Sequence, residues 1–112
     1  MMTSSYRKGY VYVQNQYAGS IEETDEGYSF AYSQEYLNGD GAIPVSLTLP
    51  LSLTTYKSTV LFPFFDGLIP EGWLLEAVTR NWKISAQDRF GLLLVTCRDC
   101  IGDVSIKNEV AL

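Results

Sequence analysis

Hydrophobic and polar positions alternate through the first third of the chain and take up a helical period in the last third. "YVYVQN" (10–15), "SIEET" (20–24) and "YSFAYS" (28–33) repeat at every second residue, the spacing that turns one face of a strand toward a core. "QYAG" and "DEG" stand between them, each with a glycine that tolerates a positive φ, so the three read as an antiparallel meander with small turns. "QEYLNGDGA" (34–42) reads as one helical turn running into a Gly-rich loop. "PVSLTLPLS" (44–52) alternates again, with Val45, Leu47 and Leu49 on one face and Ser46 and Thr48 on the other. Pro44 and Pro50 bracket it, which suits an edge strand or one with bulges at its ends. "STVLF" (58–62) reads as a further short strand.

From Pro70 the period lengthens. Proline suits the first helical position, and Glu71 complements the positive end of the helix dipole. Leu74, Leu75, Val78 and Trp82 then fall on one apolar stripe of "EGWLLEAVTRNW". A second helix is expected from Ser85, with Asp88 three residues later as a partial capping box. Its body, "RFGLLLV", is apolar nearly all round, the pattern of a buried helix, and "IGDVSIKN" (101–108) closes the chain as a last strand. The expectation is a single α+β domain over residues 1–112. It is a small curved antiparallel sheet or barrel of about five strands, with two helices packed at one end.

Composition narrows the function. The 112 residues are 46% apolar and 19% charged, which suits one globular core. The net charge is −5 and the basic residues are scattered, so no Lys/Arg cluster exists to follow a phosphate backbone. Direct nucleic-acid binding is not expected. The start, "MMTSSYRKGYVYV", has no long apolar run after its basic residues, unlike a signal peptide, and no apolar run approaches a membrane span. The expectation is a cytoplasmic protein with no membrane association.

The chemistry-bearing residues are few. With no histidine, the commonest general base is missing. "NGDG" (38–41) lacks the spacing and the lysine of a phosphate-binding loop and reads as a turn. Cys97 and Cys100 form "CRDC", a redox pair or half a zinc site in other settings. Two more zinc ligands are not available from His or Cys, so reduced, partly buried thiols are the expectation, with no metal and no cofactor. Asp66 and Glu71 flank a Gly-Leu-Ile-Pro turn. They are either paired carboxylates or, more simply, a residue that pins the turn and one that complements the helix dipole. No enzyme is expected from these residues.

"LFPFFDGLIPEGW" (61–73) carries the most information. Its first half is expected to bury aromatic rings under the sheet, and its second half to turn outward and start a helix. On a helical wheel Trp73 lies roughly 150° from the apolar stripe. It shares its face with Glu76 and Arg80, which have the i, i+4 spacing of an exposed ion pair. Two readings stand: Trp73 folds back over Phe64 or Phe65, or it is an exposed aromatic for a partner's pocket.

"VSLTLPL", "LFPFFDGLIPEG", "DRFGLLL" and "CIGDVSI" occur in the order found in the N-terminal subdomain of HipA-type kinase toxins, and the chain resembles that family from about Tyr10 to Ile106. "FFDGLIPEG" is the specific part of the match. Two positions depart from the pattern: Trp73 stands where a polar residue is usual after P-E-G, and Cys97 is extra. The family's kinase machinery follows this region and is not in these residues. The chain therefore resembles the free-standing HipS-type antitoxin of three-component HipBST toxin–antitoxin modules.

The resemblance implies a protein that binds and inhibits a HipA-like serine/threonine kinase toxin of the HipT type. A HipB-like helix-turn-helix DNA-binding protein is a candidate third component. The alternative is a regulatory or structural subdomain that completes such a kinase without inhibiting it. The expected partner-binding residues are Phe65, Asp66, Gly67, Leu68, Ile69, Pro70, Glu71, Gly72, Trp73, Glu76 and Arg80.

Overall fold

The structure is a computed structural model that describes residues 7–69, 73–85, 87–97 and 104–107; within the helix opening at Trp73, the side chains of residues 73, 74, 75, 78 and 82 are not described. Three antiparallel strands come first: β1 (Lys8–Val13), β2 (Gln16–Thr24) and β3 (Gly27–Tyr32). A one-turn helix α1 (Gln34–Asn38) and a long loop lead to β4 (Tyr56–Ser58) and α2 (Pro63–Asp66). Then come α3 (Trp73–Trp82), α4 (Arg89–Thr96) and β5 (Val104–Lys107). The five strands form one open antiparallel sheet in the order β4-β3-β2-β1-β5. The chain is thus α+β as expected, with an open sheet in place of a barrel. Among the described residues there are four helices, two of them a turn or so long.

The first turn is not where the glycine of "QYAG" suggested. Gln14 and Asn15 take φ of 51° and 67° and make the two-residue hairpin themselves, Asn being a residue that tolerates this region. "QYAG" is part of β2. Ala18 there has no partner in the register, because Val11 opposes Gly19 and Tyr12 opposes Tyr17, a bulge that curves the strand. Gly19 is needed for close approach instead: a Cβ on it would lie 2.3 Å from the Ala31 carbonyl oxygen. The second turn follows the sequence expectation, with Gly27 opening β3 at φ 143°.

The expected strand at 44–52 is a turn-bearing loop. Only an isolated bridge joins Ser46 to Leu49, and Leu49 N–H donates to the Ser46 carbonyl over 3.0 Å. Val45 and Leu49 are buried as expected, but Leu47 between them is 95% exposed at the apex. The reason lies upstream. The buried Tyr32 hydroxyl accepts from Val45 N–H at 3.0 Å and donates to the Leu49 carbonyl, which draws both ends of the segment onto one atom. The strand expected at 58–62 lies earlier, at 56–58, because Pro63 starts a helical turn that uses Phe62 as its N-terminal flank.

One face of the sheet carries the core. Val11, Ile21, Phe30 and Ile106 point into it and meet Phe65 from α2 and Phe90, Leu92 and Leu93 from α4. As its composition suggested, α4 is the buried helix, with Phe90 through Leu94 buried. It begins at Arg89 and not at Ser85, because the Asp88 carboxylate accepts Gly91 N–H at 3.1 Å and so takes the N-cap position itself.

A charged clamp joins this helix start to the sheet. Arg7 donates to Glu23 Oε1 and Oε2 at 2.9 Å and to Asp88 Oδ1 and Oδ2 at 2.8 and 2.9 Å, with its guanidinium 5.5 Å from the Phe90 ring centre. Those bonds hold both carboxyls below their ordinary range and push the guanidinium up. Carboxyls whose folded pKa is depressed stabilise the fold above their unfolded values near pH 4, and that contribution disappears as pH falls through the folded values. Arg7→Gln should therefore cost on the order of 1 kcal/mol at pH 7. In circular-dichroism melts, the gap between wild type and variant should narrow below about pH 4.

Candidate partner-binding site

The segment expected to meet a partner is rooted in the core. Pro63 at the first position of α2 fixes the backbone of a single turn, and Asp66 N–H and Gly67 N–H close it on Phe62 and Pro63 at 2.9 Å. That turn drives Phe65 inward, fully buried, 5.5 Å from the Phe30 ring and 5.1 Å from Phe64. Ile69 is also buried. These two residues were expected in the contact surface. Their burial makes them its root, because a ring with no accessible area cannot touch a second protein. Leu68 is half-buried, and its carbonyl accepts from the Cys97 thiol at 3.5 Å.

Asp66 is the first of the expected residues with an accessible side chain. Arg89 Nε donates to Asp66 Oδ1 at 2.7 Å, so Asp66 does pin the turn, by tying α2 to the first residue of α4. Arg89 was not singled out from the sequence: nothing in the order of residues signals a partner 23 positions away. Gly67, Glu76 and Arg80 are exposed, the last two a turn apart on α3, and neither belongs to the three ion pairs seen among the described residues. Pro70, Glu71 and Gly72 lie outside the described residues, and of Trp73 only its place at the start of α3 is described.

An open groove of about 470 Å³ runs beside the root, lined by Tyr28, Val60, Leu61, Pro63, Asp66 and Arg89 among others. Tyr28 leans on Phe90 with ring centres 5.7 Å apart, and burial pushes its hydroxyl above the ordinary tyrosine range. The groove offers apolar walls, one ion pair and a phenol. This suits contact with a protein surface, since no nucleophile and base are brought together in it. Cys97 is buried with its thiol on backbone and on Thr96 Oγ1, while Cys100 is outside the described residues. Among the described residues no three His, Cys, Asp or Glu side chains gather as a metal site, and no helix is long and apolar enough to cross a membrane.

The family model described as the HipA N-terminal domain matches residues 9–107. The chain belongs to the HipA N-terminal domain family. A solved structure described as the N-terminal domain of HipA toxin superposes with a TM-score of 0.72 at 28% identity, over 99% of this chain and 100% of that one. A curated protein of Haemophilus influenzae (strain ATCC 51907 / DSM 11121 / KW20 / Rd), described as an uncharacterized protein, is 32% identical over 108 residues. The match covers 96% of this chain and 98% of that protein. The chain is therefore the small HipA-like N-terminal domain and not the catalytic part of a kinase, and it is associated by family with toxin modules of the HipA type.

The Asp66–Arg89 pair is partly solvated on both sides, so its contribution to the fold of this HipA-like domain is small. Asp66→Asn should lower stability by less than about 1 kcal/mol in urea unfolding. The helical circular-dichroism signal should remain unchanged.

Proposed function

We propose that the protein is an antitoxin of the HipS type, which binds a HipA-like serine/threonine kinase toxin of the HipT type and inhibits it by occupying its active-site cleft. The observation that carries the reading is family membership over nearly the whole chain, joined to the extent of the Haemophilus relative. That relative is accounted for almost entirely by this one domain, which favours a domain acting as a chain of its own. A domain attached to its kinase docks at high effective concentration; a separate one must hold its partner through its own interface.

The rooted segment supports the mechanism. Phe65 and Ile69 in the core and Asp66 on Arg89 keep its base rigid, so little ordering is lost when residues 66–80 meet a partner. Beyond that base come Pro70, Glu71 and Gly72, and then Trp73 opening α3. In the proposed complex the Trp73 indole enters the kinase cleft. Asp66 and Glu71 face the basic groups that would otherwise hold phosphate, and Gly67, Leu68, Glu76 and Arg80 form the rim. The net charge of −5 suits approach to such a cleft. A HipB-like helix-turn-helix protein would supply the DNA contact, and the site of action would be the cytoplasm.

A second reading has an observation in its favour: the solved structure matched over its whole length is described as a domain of the toxin itself. On that reading the domain completes a kinase without inhibiting it. Trp73→Ala separates the two. On the antitoxin reading the variant folds as wild type and loses on the order of 2–4 kcal/mol of binding. Co-expression with the kinase should then no longer rescue growth. Rescue that survives the substitution would remove Trp73 from the mechanism.

A further inference from the structure

The loop between α1 and β4 exposes large apolar side chains that the mechanism above does not use. Leu47 is 95% exposed, Leu53 78% and Val60 64%, with Ile43 and Leu51 close to 40%. Isolated exposed leucines need no explanation, but five large apolar residues in one short segment are an interaction signal. The segment is also nearly uncharged: from Asp40 to Asp66 the only charged side chain is Lys57. Depletion of charge with retention of large apolar groups is the composition of the middle of a protein–protein interface.

The loop is held rigid from beneath by three tyrosines. Tyr36 hydroxyl accepts from Ile43 N–H at 3.1 Å and donates to its carbonyl at 2.7 Å. Tyr32 joins Val45 to Leu49, and Tyr56 hydroxyl donates to the Pro50 carbonyl at 2.6 Å. The small polar residues are turned inward on the loop's own backbone: Ser46 Oγ accepts from Thr48 N–H at 3.2 Å, Ser52 Oγ from Thr54 N–H at 3.0 Å, and Ser58 Oγ from Val60 N–H at 3.3 Å. Backbone demand is met locally, and what faces outward is Leu47, Leu51 and Leu53. A surface that is apolar, uncharged and already ordered loses little entropy on binding.

We propose that this ledge is the main docking face for the kinase partner, holding the complex together while residues 66–80 inhibit it. The identity of the partner rests on the antitoxin reading. Three observations favour the kinase as the occupant. Val60 belongs both to the exposed set and to the 470 Å³ groove that ends at Asp66, so one body covering the groove reaches the ledge and the root of the inhibitory segment together. One side of a standard interface takes about 800 Å² with a little over half of it apolar, which is the order of what these five side chains expose. The solved relative is described as one domain of a longer toxin, and a domain of a longer chain needs a face for the remainder. Leu47 and Leu53 are the anchors, with binding energy concentrated in a few such residues.

The test is calorimetric binding to a HipA-like kinase chain expressed without its own N-terminal domain. Leu47→Ser combined with Leu53→Ser should leave the thermal midpoint unchanged, since both side chains already lie in solvent. Affinity should fall by on the order of 100-fold. Trp73→Ala, measured alongside, should remove inhibition while a complex still forms at high concentration. Binding of the double variant at wild-type affinity overturns the ledge and leaves the antitoxin reading standing. Binding that the double variant weakens, by a domain that does not inhibit, supports the ledge and overturns the antitoxin reading. No binding by wild type overturns both. Sedimentation showing that wild type self-associates and the double variant does not would assign the ledge to a second copy and overturn the proposal.

Discussion

Phe65 lies with its ring centre 5.5 Å from that of Phe30, in the middle of the sheet face that the helices cover, and the candidate site is built outward from that contact. A five-stranded open sheet has to bury one face, and here α2 and α4 supply the cover. Because α2 is a single turn started by proline, the inward direction of Phe65 sets that of its neighbours. Asp66 emerges beside Arg89, Ile69 returns to the core, and the chain is released toward α3. Replacing the buried ring by a small side chain would cost about 3–5 kcal/mol and would loosen the site with the fold.

Two electrostatic ties work on the same helix from opposite sides. Arg7 draws Asp88 toward the sheet, and Asp66 draws Arg89 toward α2, so adjacent residues at the start of α4 are held in opposite directions. Neither tie is large alone. Together they fix where α4 begins, and α4 carries Phe90, Leu92 and Leu93 to the core. The tyrosines do the same for the long loop, through hydroxyls that reach backbone groups far along the chain. Apolar burial gives this domain its stability; a few polar bonds decide the paths of its loops.

That division explains what was legible in the sequence. Strand alternation and the apolar body of α4 come from burial alone, so the sheet, its number of strands and the buried helix could be read. The hairpin at Gln14 and Asn15 was missed because a glycine nearby was the better local candidate, and only the close approach of Ala31 shows that Gly19 is needed inside the strand. Residues 44–52 alternate like a strand, yet the same alternation fits a turn whose ends are drawn together by Tyr32, and nothing local distinguishes the two. Of the candidate site, Phe65 and Ile69 were legible as apolar but not as root rather than surface. Arg89 was not legible at all, since ion pairing across 23 residues follows from the packing of α2 on α4.

The reading that emerges is of a small HipA-like domain with a buried root, a rigid apolar ledge and a segment that ends in Trp73. An inhibitor and a completing subdomain would share most of this architecture, so affinity alone does not separate them. The deciding measurement is ATP turnover by a purified HipA-like kinase chain lacking its N-terminal domain, as this protein is titrated in. The account predicts that turnover falls and is extinguished at one equivalent. Turnover that rises to a plateau at one equivalent would contradict it.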